Sequence, residues 1–464
     1  MSTISCKINN QEITCEAGIT ILEAARMAGI KIPTLCYLKD LNKPAACRIC
    51  IVEIEGMPRL MPSCVTPVKE GMVIYTESEK IITSRKRTLD LICKRHRMDC
   101  EYCPDYTFCE LHARIRELGL DERKYSEVYQ ERCADESSPS IVRDSSKCIR
   151  CRRCVSVCRA QGVEAISTLF RAAKTITGAQ VPMAETNCIG CGQCVKNCPT
   201  GALFIKDETD LLWKAANNKK RIVFGITPQS AENIGKFFGG KKENNQMGKL
   251  TGICRKIGAD AVYDLTGMEQ QSLLEAVAKA VPRLERGEQN LMVSFCPAAK
   301  RHYWENTKLV EVAATEERFA ETVIAAYAQK GVSREELFLV YVSPCASIKQ
   351  KHTCDAVLTT TELFQWIQRA CVSKYTALEV WKNTEPMNAE KLEGTEAVYT
   401  SYTNGLQMLL RERLGREVTV THVDSIPACE KLNAEAHTDV IWLTACPGGC
   451  KNGGGQFRTQ GYRK

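Results

Sequence analysis

Along the first ~80 residues, apolar and polar positions alternate with a period of two. TISCKIN and EITCEAG read as strands on either side of Asn9-Asn10, a pair suited to a tight hairpin turn. ITILEAARMAG shifts to helical spacing and stops at Gly29. IVEIEGMPRLMPSC reads as strand, turn and strand, and the stretch EKIITSRKRTLDLICKRHRMDCEYCPDYTFCELHARIREL reads as helix. Residues 120–140 are polar and read as a linker with some helix. Beyond residue 206 the pattern changes. The runs RIVFGIT, DAVYDLT, NLMVSFCP, LFLVYVSPC, CDAVLTT, EAVYTSY, VTVTHVD and DVIWLTAC alternate with helical stretches such as ELFQWIQRA. That alternation predicts βαβ units and largely parallel sheets.

Composition changes this picture through one residue type, with 27 cysteines in 464 residues. A disulfide scaffold is short and secreted, whereas this chain is long and opens on a polar segment with acidic residues, unlike a secretory or twin-arginine leader. No apolar run approaches the ~18 residues of a membrane span. The expectation is therefore a cytoplasmic protein whose thiols hold metal. The net charge of +8 invites a nucleic-acid reading. Thiolate-bound clusters at the sites below carry a total of roughly −9, which leaves the loaded protein near neutral and no nucleic-acid partner expected.

The thiols are dense up to Cys198 and sparse after it. Cys36, Cys47, Cys50 and Cys64 follow C-x10-C-x2-C-x13-C, which is not the plant-type ferredoxin spacing. Zinc is the alternative for this quartet, although zinc sites usually pair two short C-x2-C knuckles. His96, Cys100, Cys103 and Cys109 form H-x3-C-x2-C-x5-C, and a helical turn between His96 and Cys100 would face imidazole and thiolate toward one metal. CIRCRRCVSVC and CIGCGQCVKNCP are near-copies, the bacterial two-cluster run in which each fourth cysteine serves the other cluster. One set is then Cys148, Cys151, Cys154 and Cys198; the other is Cys188, Cys191, Cys194 and Cys158. Pro199 follows the last thiol, while Arg159 takes the equivalent place in the first copy. In the body, Cys296, Cys345 and Cys446 end three strand runs, where open α/β sheets build their sites.

In the order of these groups, and in the motifs SFCPAAKRHYW, VSPCASIKQKH and TACPGGCKNGGGQF, the chain resembles the large subunit of [FeFe]-hydrogenases over nearly its whole length. Its front also resembles the large iron–sulfur subunit of respiratory complex I. The resemblance implies an α+β multidomain protein: a β-grasp [2Fe–2S] domain (1–80), a small helical His/Cys₃ [4Fe–4S] domain (81–120), a two-[4Fe–4S] ferredoxin domain (140–205) and an α/β hydrogenase-like domain (206–464). It implies a cubane on Cys296, Cys345, Cys446 and Cys450, with Cys450 at the position that in the family bridges to a diiron subsite bearing CO and cyanide. That makes one [2Fe–2S] and four [4Fe–4S] clusters. Gly453, Gly454 and Gly455 would let backbone approach the cluster closely.

Around those thiols the chain departs from the family. Phe295 replaces the cysteine that donates a proton to the distal iron, and phenylalanine has no proton to give. Ile348 stands where a lysine hydrogen-bonds a cyanide ligand, Lys351 where a glutamate is usual, and Ser343 and Thr444 where methionines are. SYTNG (401–405) replaces a more glycine-rich turn. Lys349 would substitute for the missing lysine only on a re-routed loop. The expected cofactor set therefore lacks the diiron subcluster.

The expected function is an iron–sulfur electron-transfer subunit of a multi-subunit cytoplasmic oxidoreductase, with no catalytic residue of its own. No glycine-rich dinucleotide fingerprint follows a strand, so a flavin or NAD(H) site belongs to a partner subunit. Resemblance to the hydrogenase-like subunits of electron-bifurcating complexes adds ferredoxin and a catalytic partner such as formate dehydrogenase. The competing expectations are a working divergent hydrogenase and a metal-free docking scaffold. Cys6, Cys15, Cys93, Cys133, Cys254, Cys354, Cys371 and Cys429 remain as core thiols, with Cys354 a rival ligand. Trp304, Trp366, Trp381 and Trp442 read as packing, and Lys219-Lys220-Arg221 and Lys241-Lys242 as solvated turns able to dock an acidic carrier.

Overall fold

The structure, a computed structural model, describes residues 3–457 apart from 104, 127–131, 171–175, 240–245, 371–373, 391–401 and 436–437. Cys371, Lys241-Lys242 and all of EAVYTSY except Tyr402 lie outside the described residues.

Strands β1 (Thr3–Ile8) and β2 (Gln11–Glu16) pair antiparallel about Asn9 and Asn10, whose φ values of 49° and 67° are the left-handed pair that a tight hairpin requires. Helix α1 (Ile21–Met27) starts where the Thr20 hydroxyl accepts from the Glu23 amide, 3.3 Å. It buries Ile21, Leu22, Ala24 and Ala25. Strands β3 (Ile51–Ile54), β4 (Met61–Pro62) and β5 (Val73–Tyr75) complete a sheet of order β2-β1-β5-β3-β4, with β5 parallel to β1. The long excursion from α1 to β3 carries Cys36, Cys47 and Cys50.

Helix α2 (Glu79–Cys93) is capped by Ser78 and stops well short of the expected helical stretch. His96 lies beyond its end and Cys100 opens a single 3₁₀ turn, so no turn of α-helix joins the two. The reason is tertiary: the Arg97 amide donates to Ser146 O (3.0 Å) and its guanidinium bridges Asp99 and Asp144 (3.0 Å each), pulling the segment onto the next domain. Helix α3 (Glu110–Glu117) resumes after Cys109, and α4 (Arg123–Ser126) lies in the polar linker.

In the third domain β6 (Ala134–Asp135) and β7 (Ile141–Asp144) pair antiparallel, and β7 pairs with β10 (Leu203–Ile205). Helices α5 (Arg153–Ala160) and α6 (Gln193–Lys196) each follow a Cys-x2-Cys loop through a left-handed residue, Arg152 (φ 64°) and Gly192 (φ 71°). The hairpin β8 (Ser167–Leu169) and β9 (Ile176–Gly178) lies between them in the chain.

The body holds two parallel sheets. After α7 (Thr209–Asn217), β11 (Arg221–Ile226) pairs with β12 (Ala261–Asp264) and β15 (Leu337–Ser343), and β15 with β16 (Ala356–Thr359). The second sheet joins β13 (Leu291–Val293) to β14 (Leu309–Val310) and β18 (Val440–Leu443), and β18 to β17 (Val420–Val423). All seven residues of β15 are buried, the signature of a strand covered on both faces. The covering helices are α8 (Pro228–Phe237), α9 (Gln246–Lys256), α10 (Thr266–Glu285), α11 (Pro297–His302), α12 (Thr315–Ala328), α13 (Thr360–Ala370), α14 (Lys374–Asn383), α15 (Tyr402–Leu414) and α16 (Ile426–Glu435). Tyr402 to Gly405 form the first turn of α15, neither strand nor loop. Trp366, Trp381 and Trp442 are buried, but Trp304 is 71% exposed and Cys133 is exposed, against expectation for both. No helix among the described residues is long and apolar enough to cross a membrane.

Candidate metal centres

The front quartet is buried and its thiols hydrogen-bond in two pairs, Cys36 with Cys47 and Cys50 with Cys64. The bond from its partner pushes Cys47 down to about 6 and Cys50 down to about 7. Cys36 and Cys64 are pushed up, chiefly because each donates its thiol proton to its partner sulfur, and further by burial and the partner's charge. The buried Arg85 of α2 donates to Ile49 O (3.0 Å) and Ile51 O (2.8 Å), placing a cation beside Cys50. The Ser63 hydroxyl holds Cys50 O at 2.7 Å. A cation and paired thiols fit a thiolate-bound metal, because the thiolate is the ligand.

Burial pushes the His96 imidazole down to about 4, so it stays neutral. Its ring hydrogen-bonds the Lys147 backbone and leaves Nδ1 buried without a partner. A neutral ring fixed through one nitrogen with the other vacant is the arrangement of a metal-bound histidine. Burial raises Cys100 to about 11 and also raises Cys103, which the Lys147 side chain reaches. Lys147 Nζ bonds Asp99 at 2.7 Å. The Cys109 sulfur accepts the His112 amide, 3.4 Å.

Cys148, Cys151, Cys154 and Cys198 line one cavity together with Pro199 and Thr200, although Cys198 lies far along the chain from the other three. The second set also assembles: burial, then Cys191, Cys188, Cys154 and Cys158, raises Cys194. In the body Cys296, Cys345 and Cys446 follow the ends of β13, β15 and β18, and Cys450 opens a short turn beyond. Burial raises the Cys345 thiol well above the ordinary range, and Cys296, Cys446 and Cys450 add to the effect. Four buried thiols gathered together resist ionisation, eased at Cys446 by Gln193 and Lys196, and a metal core reverses that resistance. Cys450 is exposed as a residue, yet its thiol rises for the same reasons. Among the described residues no three such donors close on a single ion, whereas thiols around a cubane bind separate irons and stand further apart.

The tail glycines pack closely against backbone beside two candidate ligands. A Cβ on Gly454 would lie 2.3 Å from Cys191 O, and one on Gly453 2.4 Å from Pro344 O, so the close approach is to backbone of the ferredoxin loop and of the β15 end. Gln193 Nε2 and Lys196 Nζ clamp the same junction by donating to Asn452 O, 2.9 and 3.0 Å.

The altered family positions are committed elsewhere. The Phe295 ring packs edge-on against Trp442 (4.8 Å) and Tyr402 (6.1 Å). Lys349 is buried between Glu208 (3.2 Å) and Glu362 (3.0 Å), not re-routed toward the thiols. Cys354 faces Glu316, which accepts its amide at 2.6 Å and its thiol. A cavity lined by Phe295, Ile348, Lys351, Lys300, Trp304 and Glu317 adjoins the Cys296 and Cys345 loops. Arg85, Lys147 and Asn42 were not singled out from sequence. Lone polar residues in loops and helices carry no spacing signal.

Three family descriptions match in chain order: a 2Fe-2S iron-sulfur cluster binding domain at residues 1–79, a 4Fe-4S dicluster domain at 141–205, and the C-terminal domain of the iron only hydrogenase large subunit at 220–454. The chain is 31% identical over 409 residues to the NADP-reducing hydrogenase subunit HndD of Solidesulfovibrio fructosivorans, covering 80% of this chain and 69% of that one. It is 26% identical over 508 residues to iron hydrogenase 1 of Clostridium pasteurianum, covering 97% and 88%. The mitochondrial NADH-ubiquinone oxidoreductase 78 kDa subunit of Candida albicans is 30% identical over 209 residues, covering 44% of this chain and 29% of that one. Thiol groups and domain order together define an iron–sulfur oxidoreductase subunit. The chain belongs to the iron-only hydrogenase large-subunit family, with a front part like that of the complex I subunit.

Proposed function

We propose that this chain is the electron relay of a multi-subunit cytoplasmic oxidoreductase, passing single electrons among a flavin- or NAD(H)-binding partner subunit, ferredoxin and a catalytic partner such as a formate dehydrogenase. One observation carries the reading: neighbouring candidate centres share hydrophobic cores. Cys36, Cys47 and Cys151 lie in one core, with Cys100 and Cys109 packed on it. Cys194 and Cys198 lie in a second, with Cys148, Cys154, Cys158 and Cys188 against it. Cys296 lies in a third, with Cys158, Cys188 and Cys191 against it. Packed side chains exclude water between each centre and the next. Iron–sulfur groups, when bound, supply the one-electron steps. The residues hold them at the twenty positions above as one [2Fe–2S] and four [4Fe–4S] clusters.

The hydrogenase-like domain keeps a cubane and lacks the diiron pair. Phe295 offers no proton, Ile348 no hydrogen bond, and the Lys349 charge is neutralised by two glutamates. Iron counting tests this: about 18 irons per chain for the relay, ~20 with a diiron pair and ~14 with an empty body. Infrared bands of iron-bound CO and cyanide after expression with maturation proteins would overturn it in favour of a working hydrogenase. The Phe295→Cys chain sharpens the test, since restoring one thiol beside Ile348 is expected to leave hydrogen evolution from reduced viologen at background.

A further inference from the structure

Asn42 lies on the loop between Cys36 and Cys47, at 4% exposure. It is held in a tight turn, its amide donating to Leu38 O (3.0 Å) and its own carbonyl accepting from the Leu38 amide (2.9 Å). Its side-chain amide donates twice, to Cys36 O at 2.7 Å and to Cys151 O at 3.0 Å. The amide oxygen accepts from Ser156 Oγ at 2.7 Å. Both N–H groups and the oxygen are thus used, as a buried amide requires. Cys36 and Cys151, whose carbonyls it joins, belong to one apolar core with Leu35 and Ile49, a setting in which burial alone calls for no amide. What only an amide does here is join two carbonyls, and those carbonyls belong to candidate ligands of different centres in different domains.

We propose that Asn42 is the bridge between the Cys36/Cys47/Cys50/Cys64 centre and the Cys148/Cys151/Cys154/Cys198 centre. It is a positioning residue that sets the spacing of the two and completes a bonded path from one ligand cysteine to the other. The path runs from the Cys36 backbone carbonyl through one hydrogen bond to the Asn42 side-chain nitrogen, and through a second to the Cys151 carbonyl. The front centre accordingly exchanges electrons with the first ferredoxin centre. The proposal rests on the relay reading, and its test separates the two.

The test uses the full chain with its clusters. Electron redistribution from the reduced [2Fe–2S] cluster is followed after pulse reduction, and electron paramagnetic resonance measures how strongly a neighbouring paramagnet speeds relaxation of the [2Fe–2S] signal. Asn42→Leu is expected to retain its iron but to slow redistribution about tenfold, the lower end of what an outer-shell hydrogen bond is worth at a metal site, and to weaken the relaxation effect. Asn42→Asp has the same size and can still accept from Ser156, but it donates to neither carbonyl when ionised and to only one when protonated, so it cannot join the two. It should behave alike, and it carries the test if Asn42→Leu loses iron. Ser156→Ala removes only the third bond and should match the wild type. Wild-type rate and relaxation in Asn42→Asp, or a Ser156→Ala defect as large as that of Asn42→Leu, would overturn the bridge while leaving the relay. Absence of any [2Fe–2S]-to-[4Fe–4S] transfer in the wild type would overturn both.

Discussion

The front of the chain and its hydrogenase-like body gather thiols equally well but surround them differently. In the front, polar side chains are aimed at the candidate ligands: Arg85 flanks Cys50, Ser63 holds its carbonyl, and Lys147 reaches Cys103. In the body, lysines lie beside Cys296 and Cys446 too, but those on the body's own elements are tied to scaffold groups. Lys349 joins Glu208 to Glu362, and Lys300 donates to Val312 O at 2.5 Å. Phe295 and Ile348 line the cavity beside the Cys296 and Cys345 loops together with Lys300, Lys351 and Glu317. Thiol spacing decides which metal core a protein can hold. The side chains around it decide what that core can do beyond passing electrons.

The comparison is broken most forcefully at Lys349. Lys349→Met leaves the buried Glu362 and the half-buried Glu208 carboxylates without their cation, which costs about 3–5 kcal/mol. Denaturant unfolding should show the body destabilised while the front transition is unmoved. An unchanged body would mean that Lys349 is not scaffold and is free to serve the thiols.

The front is probed next, through His96. Its folded-state value of about 4 lies below the ordinary ~6.5, so the unfolded chain binds a proton that the folded chain refuses. Stability from this group is complete above ~6.5, falls as pH drops from there to about 4, and levels off below, a loss of a few kcal/mol. The difference in unfolding free energy between the metal-free chain and metal-free His96→Gln, measured across that window, should follow this curve. A flat difference would remove the neutral buried imidazole from the argument.

The smallest effect is expected where the two regions meet. Gly454→Ala drives a methyl into Cys191 O and the Gly192 backbone, an overpacking cost of about 1–3 kcal/mol. Calorimetry should then separate the ferredoxin and body transitions. If they stay merged, the junction is looser than the glycine contact implies.

The hairpin at Asn9-Asn10, the parallel sheets and the cysteine groups were legible before any coordinates, because each depends on residues close in sequence or on a repeated spacing. The duplication also predicts the cross-over of Cys198 into the first ferredoxin set, and Cys198 lines a cavity with Cys148, Cys151 and Cys154. The His96 segment was misread as helix because its local pattern is helical while Arg97 is bonded to Ser146 and Asp144 of another domain. Trp304 was misread because an apolar neighbourhood in sequence does not guarantee a cover in space.

The grouping and order of the candidate ligands were thus legible in the sequence itself, since soft thiol and imidazole donors stand out at a few recurring loop spacings. Tertiary structure alone decided what supports them: that Lys349 is claimed by two glutamates, that the tail glycines meet the ferredoxin loop, and that one asparagine joins two centres. Hydrogen bonds and packing between residues far apart in the chain leave no periodic trace along it.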